Sequence, residues 1–121
     1  MSGTNNIVDL LQAGIKAEGI RQKVISSNIA NMETPGYQRL AIRFEEMLTD
    51  ALESPSSSVN VREIEPELYE PRNTTVKSNG NDVSLELEIG QMVKNSLHHT
   101  AYVRLLRQKF SQIQEAVNVQ A

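Results

Sequence analysis

A chain of 121 residues with 12 Lys and Arg against 15 Asp and Glu carries a formal charge of −3, without the basic surplus that marks a general nucleic-acid binder. It holds no cysteine, which excludes a disulfide framework, a thiolate metal cluster and a cysteine nucleophile. Hydrophobic residues make up 39% but aromatics only 4%, so the core is drawn from Leu, Ile, Val and Ala and a mainly all-α fold is predicted over a β-sandwich.

No apolar run reaches the roughly 18 residues that a membrane span needs, so no direct membrane span is expected. Asp9, Lys16, Glu18, Arg21 and Lys23 interrupt the first segment, which predicts no cleaved secretory signal. All four prolines lie between residues 33 and 82, dividing the chain into 1–32, 33–82 and 83–121. The middle third has five bases and ten acids, whereas the outer segments each carry one net positive charge.

Residues 1–32 read as a helix with two apolar seams. Val8, Leu11, Ile15, Ile25, Ile29 and Met32 form one; Leu10, Ala13, Ala17, Ile20 and Val24 form the other. The seams lie about 200° apart around a helix, so the helix needs neighbours on two sides. One partner helix from the same chain covers only one side, which leaves the other for a neighbouring molecule. Gly14 and Gly19 each cost about 1 kcal/mol relative to Ala in a helix interior, and with the double seam they predict a helix that orders on assembly.

That helix is expected to end at Asn28-Ile29-Ala30-Asn31-Met32-Glu33-Thr34-Pro35-Gly36-Tyr37. Asn31 tolerates the left-handed conformation of a helix end, Pro35 drives Thr34 out of the helical region, and Pro-Gly suits a type II turn. The turn delivers Tyr37 to a fixed place. Next, Leu40, Phe44, Met47, Leu48, Ala51 and Leu52 recur at helical spacing and predict a short helix of about three turns. Ser54-Pro55-Ser56-Ser57-Ser58 breaks it as a linker or exposed loop. Val59, Val61, Tyr69 and Val76 then support irregular chain or a short β-hairpin at most.

From Leu85, alternate steps of four and three visit Ile89, Met92, Ser96, His99, Val103, Leu106, Phe110, Ile113 and Val117. This heptad seam predicts a helix over 83–117 that lies along another helix, capped by Asn81 or Asp82. At 1.5 Å per residue it is about 50 Å long, against a diameter of roughly 35 Å for a globule of this size. The predicted architecture is therefore an elongated antiparallel pair of terminal helices, coiled-coil-like, around a short middle helix. Gly90 weakens the last helix as Gly14 and Gly19 weaken the first.

Catalytic hardware is sparse. His98 and His99 point about 100° apart on a helix and do not converge on one metal ion; a polar interruption at His99 and Ser96 reads as a register or partner-choice device. Glu63, Glu65, Glu67 and Glu70 read as a solvated acidic loop, and Arg104, Arg107 and Lys109 as the polar face of the long helix. No phosphate loop, nucleophile elbow or dinucleotide fingerprint occurs. No catalytic, cofactor-binding or metal residue is assigned.

The motif Asn28-x-Ala30-Asn31-x-x-Thr34-Pro35-Gly36-Tyr37, with Arg21-Gln22-x-Val24-Ile25 leading into it, closely resembles the signature of the bacterial flagellar rod, hook and hook-filament junction proteins. The short length, Phe44-Glu45-Glu46-Met47-Leu48 and Gly80-Asn81-Asp82-Val83 are most similar to the short proximal rod subunits of that family. The resemblance implies a structural subunit of the proximal rod of the flagellar basal body, periplasmic, without catalysis or cofactor. Its terminal helices would pack side by side into a helical assembly that lines the export channel and transmits torque from the membrane ring. Implied partners are copies of itself, other rod subunits, the membrane-ring protein with its rod adaptor, and the flagellar type III export apparatus, through which family members leave without a cleaved signal peptide. The alternative from the residues alone is a small soluble helical-bundle dimer acting as an export chaperone or regulator. That alternative explains the heptads but not the Thr34-Pro35-Gly36-Tyr37 turn.

Overall fold

The first helix, α1 (Ile7–Ala30), stops where Asn31 turns back on it: its amide reaches the carbonyls of Ser27 and Asn28, and its side-chain amide donates to the Ser27 carbonyl at 2.9 Å. These bonds satisfy carbonyls that the helix end would otherwise orphan. A computed structural model describes residues 7–53 and 60–120. After α1 come a short strand β1 (Ala41–Arg43), the helix α2 (Glu45–Glu53), a 3-10 turn at Val61–Glu63, the strand β2 (Glu67–Tyr69) and the long helix α3 (Leu85–Gln120). The serine-proline linker at 54–58 lies outside the described residues.

The two long helices pack antiparallel. Asn28 meets Glu88, Asn95 meets the Glu18 carbonyl, and Gly14 faces the Tyr102 ring. With 36 residues α3 is about 54 Å long, so it runs roughly ten residues past the level of Ile7. Its start is capped by Ser84, whose hydroxyl accepts from the Leu87 amide. The predicted caps Asn81 and Asp82 do other work: both are buried and bond to the segment around the Thr34-Pro35 turn and Arg39.

Two expectations about the seams are corrected by the packing. The second seam of α1 needs no neighbouring molecule, because the chain's own middle covers it: Ala13 and Ala17 form a core with Ile42 and Phe44, joined by Ile20, Val24, Leu48 and Ile64. Nor is the α3 surface against α1 the apolar heptad seam. Glu88 and Asn95 are buried there, whereas Leu85, Ile89, Phe110, Ile113 and Val117 are exposed. Met92, Val103 and Leu106 are half-buried at its edge. For Leu85 and Ile89 the reason is rotational, since Glu88 and Asn95 each lie one position from a seam residue, about 100° around the helix, and hydrogen bonds to α1 select that orientation. Phe110, Ile113 and Val117 lie where α3 runs past the level of Ile7.

The middle segment differs from its predicted form as well. Leu40 precedes β1 and lies outside any helix, which leaves α2 with nine residues. The sheet is a long-range antiparallel pair, Ala41 with Tyr69, Ile42 with Leu68 and Arg43 with Glu67, not a hairpin within 59–76. Ile42 is buried in the core, whereas Leu68, its directly opposite partner, is more than half exposed. Val61, in the 3-10 turn, is fully buried.

Candidate functional site

The predicted motif folds into a junction whose centre is Asn28, fully buried in the last turns of α1. Its oxygen accepts from the Tyr37 hydroxyl and the Leu40 amide, both at 2.9 Å; its nitrogen donates to the Leu40 carbonyl at 2.8 Å and to Glu88 Oε1 at 3.1 Å. An amide alone among side chains offers two donors and a double acceptor at this spacing. Asn28 therefore fixes the exit of α1, the strand-leading segment and α3 in one step.

The Thr34-Pro35-Gly36-Tyr37 turn closes with the Tyr37 amide on the Thr34 carbonyl, and Gly36 takes φ +75°, the positive value that a type II turn demands. Gly36 also donates its amide to the Asn79 carbonyl at 2.9 Å. Gly80 sits at φ +86°, and a Cβ there would come within 3.3 Å of the Gly36 Cα. Asn81 completes the join by donating to the carbonyls of Asn31 and Thr34. Thr34, Pro35 and Gly36 themselves are exposed, as is Ala30, while Asn31 and Tyr37 are half-buried.

Below the turn, Arg39 Nε donates to Glu88 Oε2 at 2.7 Å with both side chains almost wholly out of water. Two turns further along α3, Asn95 donates to the Glu18 carbonyl and to Gln22. Glu18, also buried, receives Arg21 at 2.9 Å and has His98 Nδ1 at 3.4 Å. His98, not His99, is thus the histidine turned toward α1. Burial opposes the charge on Arg21, but hydrogen bonds to Glu45 and Glu18 outweigh it and hold its pKa above the ordinary value. Burial likewise pushes the Tyr102 hydroxyl up, helped by the negative charges of Glu18 and Glu45.

A cleft of about 420 Å³ opens between α1, α3 and the sheet, lined by Glu18, Arg21, Arg39, Asn95 and His98 among others. Most of its charges are paired, Arg21 with Glu18 and Glu45 and Arg39 with Glu88, and among the described residues lining it no nucleophile is poised beside a base. Among the described residues no group of three or more His, Asp or Glu is placed to hold a metal ion.

Of the predicted α1 seam residues, Leu11, Ala13, Ala17 and Ile25 are buried, and Val8, Leu10, Ile15, Ile20, Val24, Ile29 and Met32 are half-buried. What the sequence patterns passed over is the polar layer of Glu18, Arg39, Glu88, Asn95 and Tyr102, with Asn81 expected as a cap and Gly14 as a weak point of the helix. One signal was present, since Glu88, Asn95 and Tyr102 stand seven residues apart and share one helix face.

A helix pair locked by an Asn-centred turn, with acids and bases used as fasteners and the long helix apolar on its outside, defines an architectural subunit. Residues 11–38, which contain the first part of this junction, match the family described as "Flagella basal body rod protein". The chain is 33% identical over 100 residues to the flagellar basal body rod protein FlgB of Aquifex aeolicus (80% of this chain, 81% of that one). It is 25% identical over 121 residues to FlgB of Bacillus subtilis (93% and 94%) and 27% over 114 residues to FlgB of Borreliella burgdorferi (80% and 84%). It belongs to the FlgB family of flagellar basal body rod proteins, which are structural subunits and not enzymes.

Proposed function

We propose that this chain forms the proximal part of the rod, assembling helically with copies of itself and with other rod subunits through its terminal helices. The observation that carries the reading is the outer end of α3, where Phe110, Ile113 and Val117 are each at least half exposed, on the stretch that runs past the level of Ile7. An apolar stripe at heptad spacing without a partner among the described residues is completed by another helix, and contacts between unlike faces propagate as filaments. In this reading the rod crosses the periplasm, lines the export channel and transmits torque, meeting the membrane ring and its adaptor at the base. The subunit reaches that place through the flagellar type III apparatus, without a cleaved signal. The buried junction then serves as the stiff corner between helices and middle segment.

The test is Ile113→Asp, which alters a surface position of the isolated chain. The purified variant should keep its helix content and melting temperature, while cells that carry it lose rod assembly and motility. Normal motility with the variant would refute assembly through this stripe.

A further inference from the structure

A second uncovered surface starts at the seam residues Leu85 and Ile89 and winds around α3. Leu85, Ile89, Val93, Leu97, Ala101 and Leu105 follow one another at intervals of four, a continuous ridge of the kind that packs into the groove of another helix. All six are exposed, Leu97 at 65%. Lys94 and Arg104 flank the Leu97–Ala101 rungs, and neither makes an ion pair or hydrogen bond among the described residues. Gly90, with open space above it, leaves a gap beside the ridge.

The chain carries a matching surface elsewhere. Helix α2 has four acids and no base, and none of its residues is buried. Its inner edge rests on the core through Leu48, but Leu52 remains 48% exposed in the last turn. Beside it stand Asp50 and Glu53, exposed and without an ion pair or hydrogen bond among the described residues. One surface is apolar with two free cations; the other is apolar with two free anions.

We infer that the last turn of α2 in one copy docks on the Leu97–Ala101 ridge of α3 in a second copy, with Asp50 and Glu53 against Lys94 and Arg104. The two surfaces are different patches of one chain, so the contact is heterologous and repeats from copy to copy. It is also small. A nine-residue helix about 14 Å long and about 10 Å wide has a footprint on the order of 140 Å², well short of the roughly 800 Å² per partner of a stable dimer interface, so the contact forms within an assembly that other contacts hold. The inference rests on the reading that copies adjoin one another in a rod, and it adds the middle segment to the terminal helices as an assembly element.

Because the chain has no cysteine, a Leu52→Cys, Leu97→Cys double variant reports the contact directly when expressed as the sole copy in a flagellated cell. Oxidised basal bodies should give a ladder of cross-linked subunits that neither single variant gives. Assembled rods without a ladder overturn the docking while the rod reading stands. Absence of the unaltered chain from basal bodies overturns both. In the same background, Lys94→Glu with Arg104→Glu, or Asp50→Lys with Glu53→Lys, should each abolish the ladder, and all four substitutions together should restore it. Failure of the fourfold variant to restore the ladder, with its melting temperature unchanged, would assign these charges to a different partner and overturn the inference.

Discussion

Arg39 and Glu88 form an ion pair of 2.7 Å between the segment after the turn and the first turns of α3, with 6% and 0% of their side chains exposed. Removing one partner strands the other charge in a low-dielectric site, which typically costs about 3–5 kcal/mol. Glu88→Met or Arg39→Met alone should therefore destabilise by roughly this amount, whereas the double variant recovers much of it. Urea unfolding of the three variants measures the coupling, and additive losses would show that the pair acts only through packing.

Asn28 serves four bonds from one amide. Asn28→Ala leaves the Leu40 amide and carbonyl without their partner, and each buried orphan costs about 1–3 kcal/mol. Tyr37→Phe removes one bond of the same set and should cost about 1 kcal/mol. The ranking, read from denaturant midpoints, is the test; equal losses would contradict a hub at Asn28.

The glycines of α1 separate by their surroundings. A Cβ on Gly14 would stand 2.8 Å from the Tyr102 ring, while one on Gly19 would meet nothing within 4 Å. Gly14→Ala should lower stability by about 1–3 kcal/mol through overpacking, and Tyr102→Leu should relieve part of it. Gly19→Ala should raise the stability of the isolated chain by about 1 kcal/mol. Thermal melts with opposite shifts would confirm the contrast.

Tyr102 supplies a pH dependence. Its pKa is raised in the folded chain, first by burial and then by Glu18 and Glu45, so folding favours the protonated phenol. Its contribution is fully present below the unfolded value near 10 and is lost as pH rises through the higher folded value. Melting temperatures from pH 8 to 11 should fall less for Tyr102→Phe than for the unaltered chain; parallel curves would exclude Tyr102 as the source.

Much of this fold was legible in the residues: both long helices and the type II turn at Pro35-Gly36 follow from periodicity and local backbone chemistry, while the first helix stops at Asn31 through its bonds back to Ser27 and Asn28 and not through the left-handed backbone expected there. The facing of α3 was not, because a count of apolar positions gives no weight to Glu88 and Asn95, whose attraction to α1 depends on Asn28 and Glu18 some 60 to 77 residues away. The pairing of β1 with β2 was hidden for a related reason, since a three-residue strand carries no period of its own and is defined by its distant partner. The cover over the second seam of α1 likewise comes from Ile42 and Phe44, beyond the reach of any local pattern.

The contact of Gly36 with Gly80 has a topological meaning. Chain leaves the helix pair at one glycine and returns at the other, so everything between is a closed excursion pinned at its neck. Lengthening the part of the excursion that lies beyond its contacts with the helices costs only about 0.6 kcal/mol per doubling. A subunit built this way can acquire a larger head at its periphery while its shaft keeps the same register.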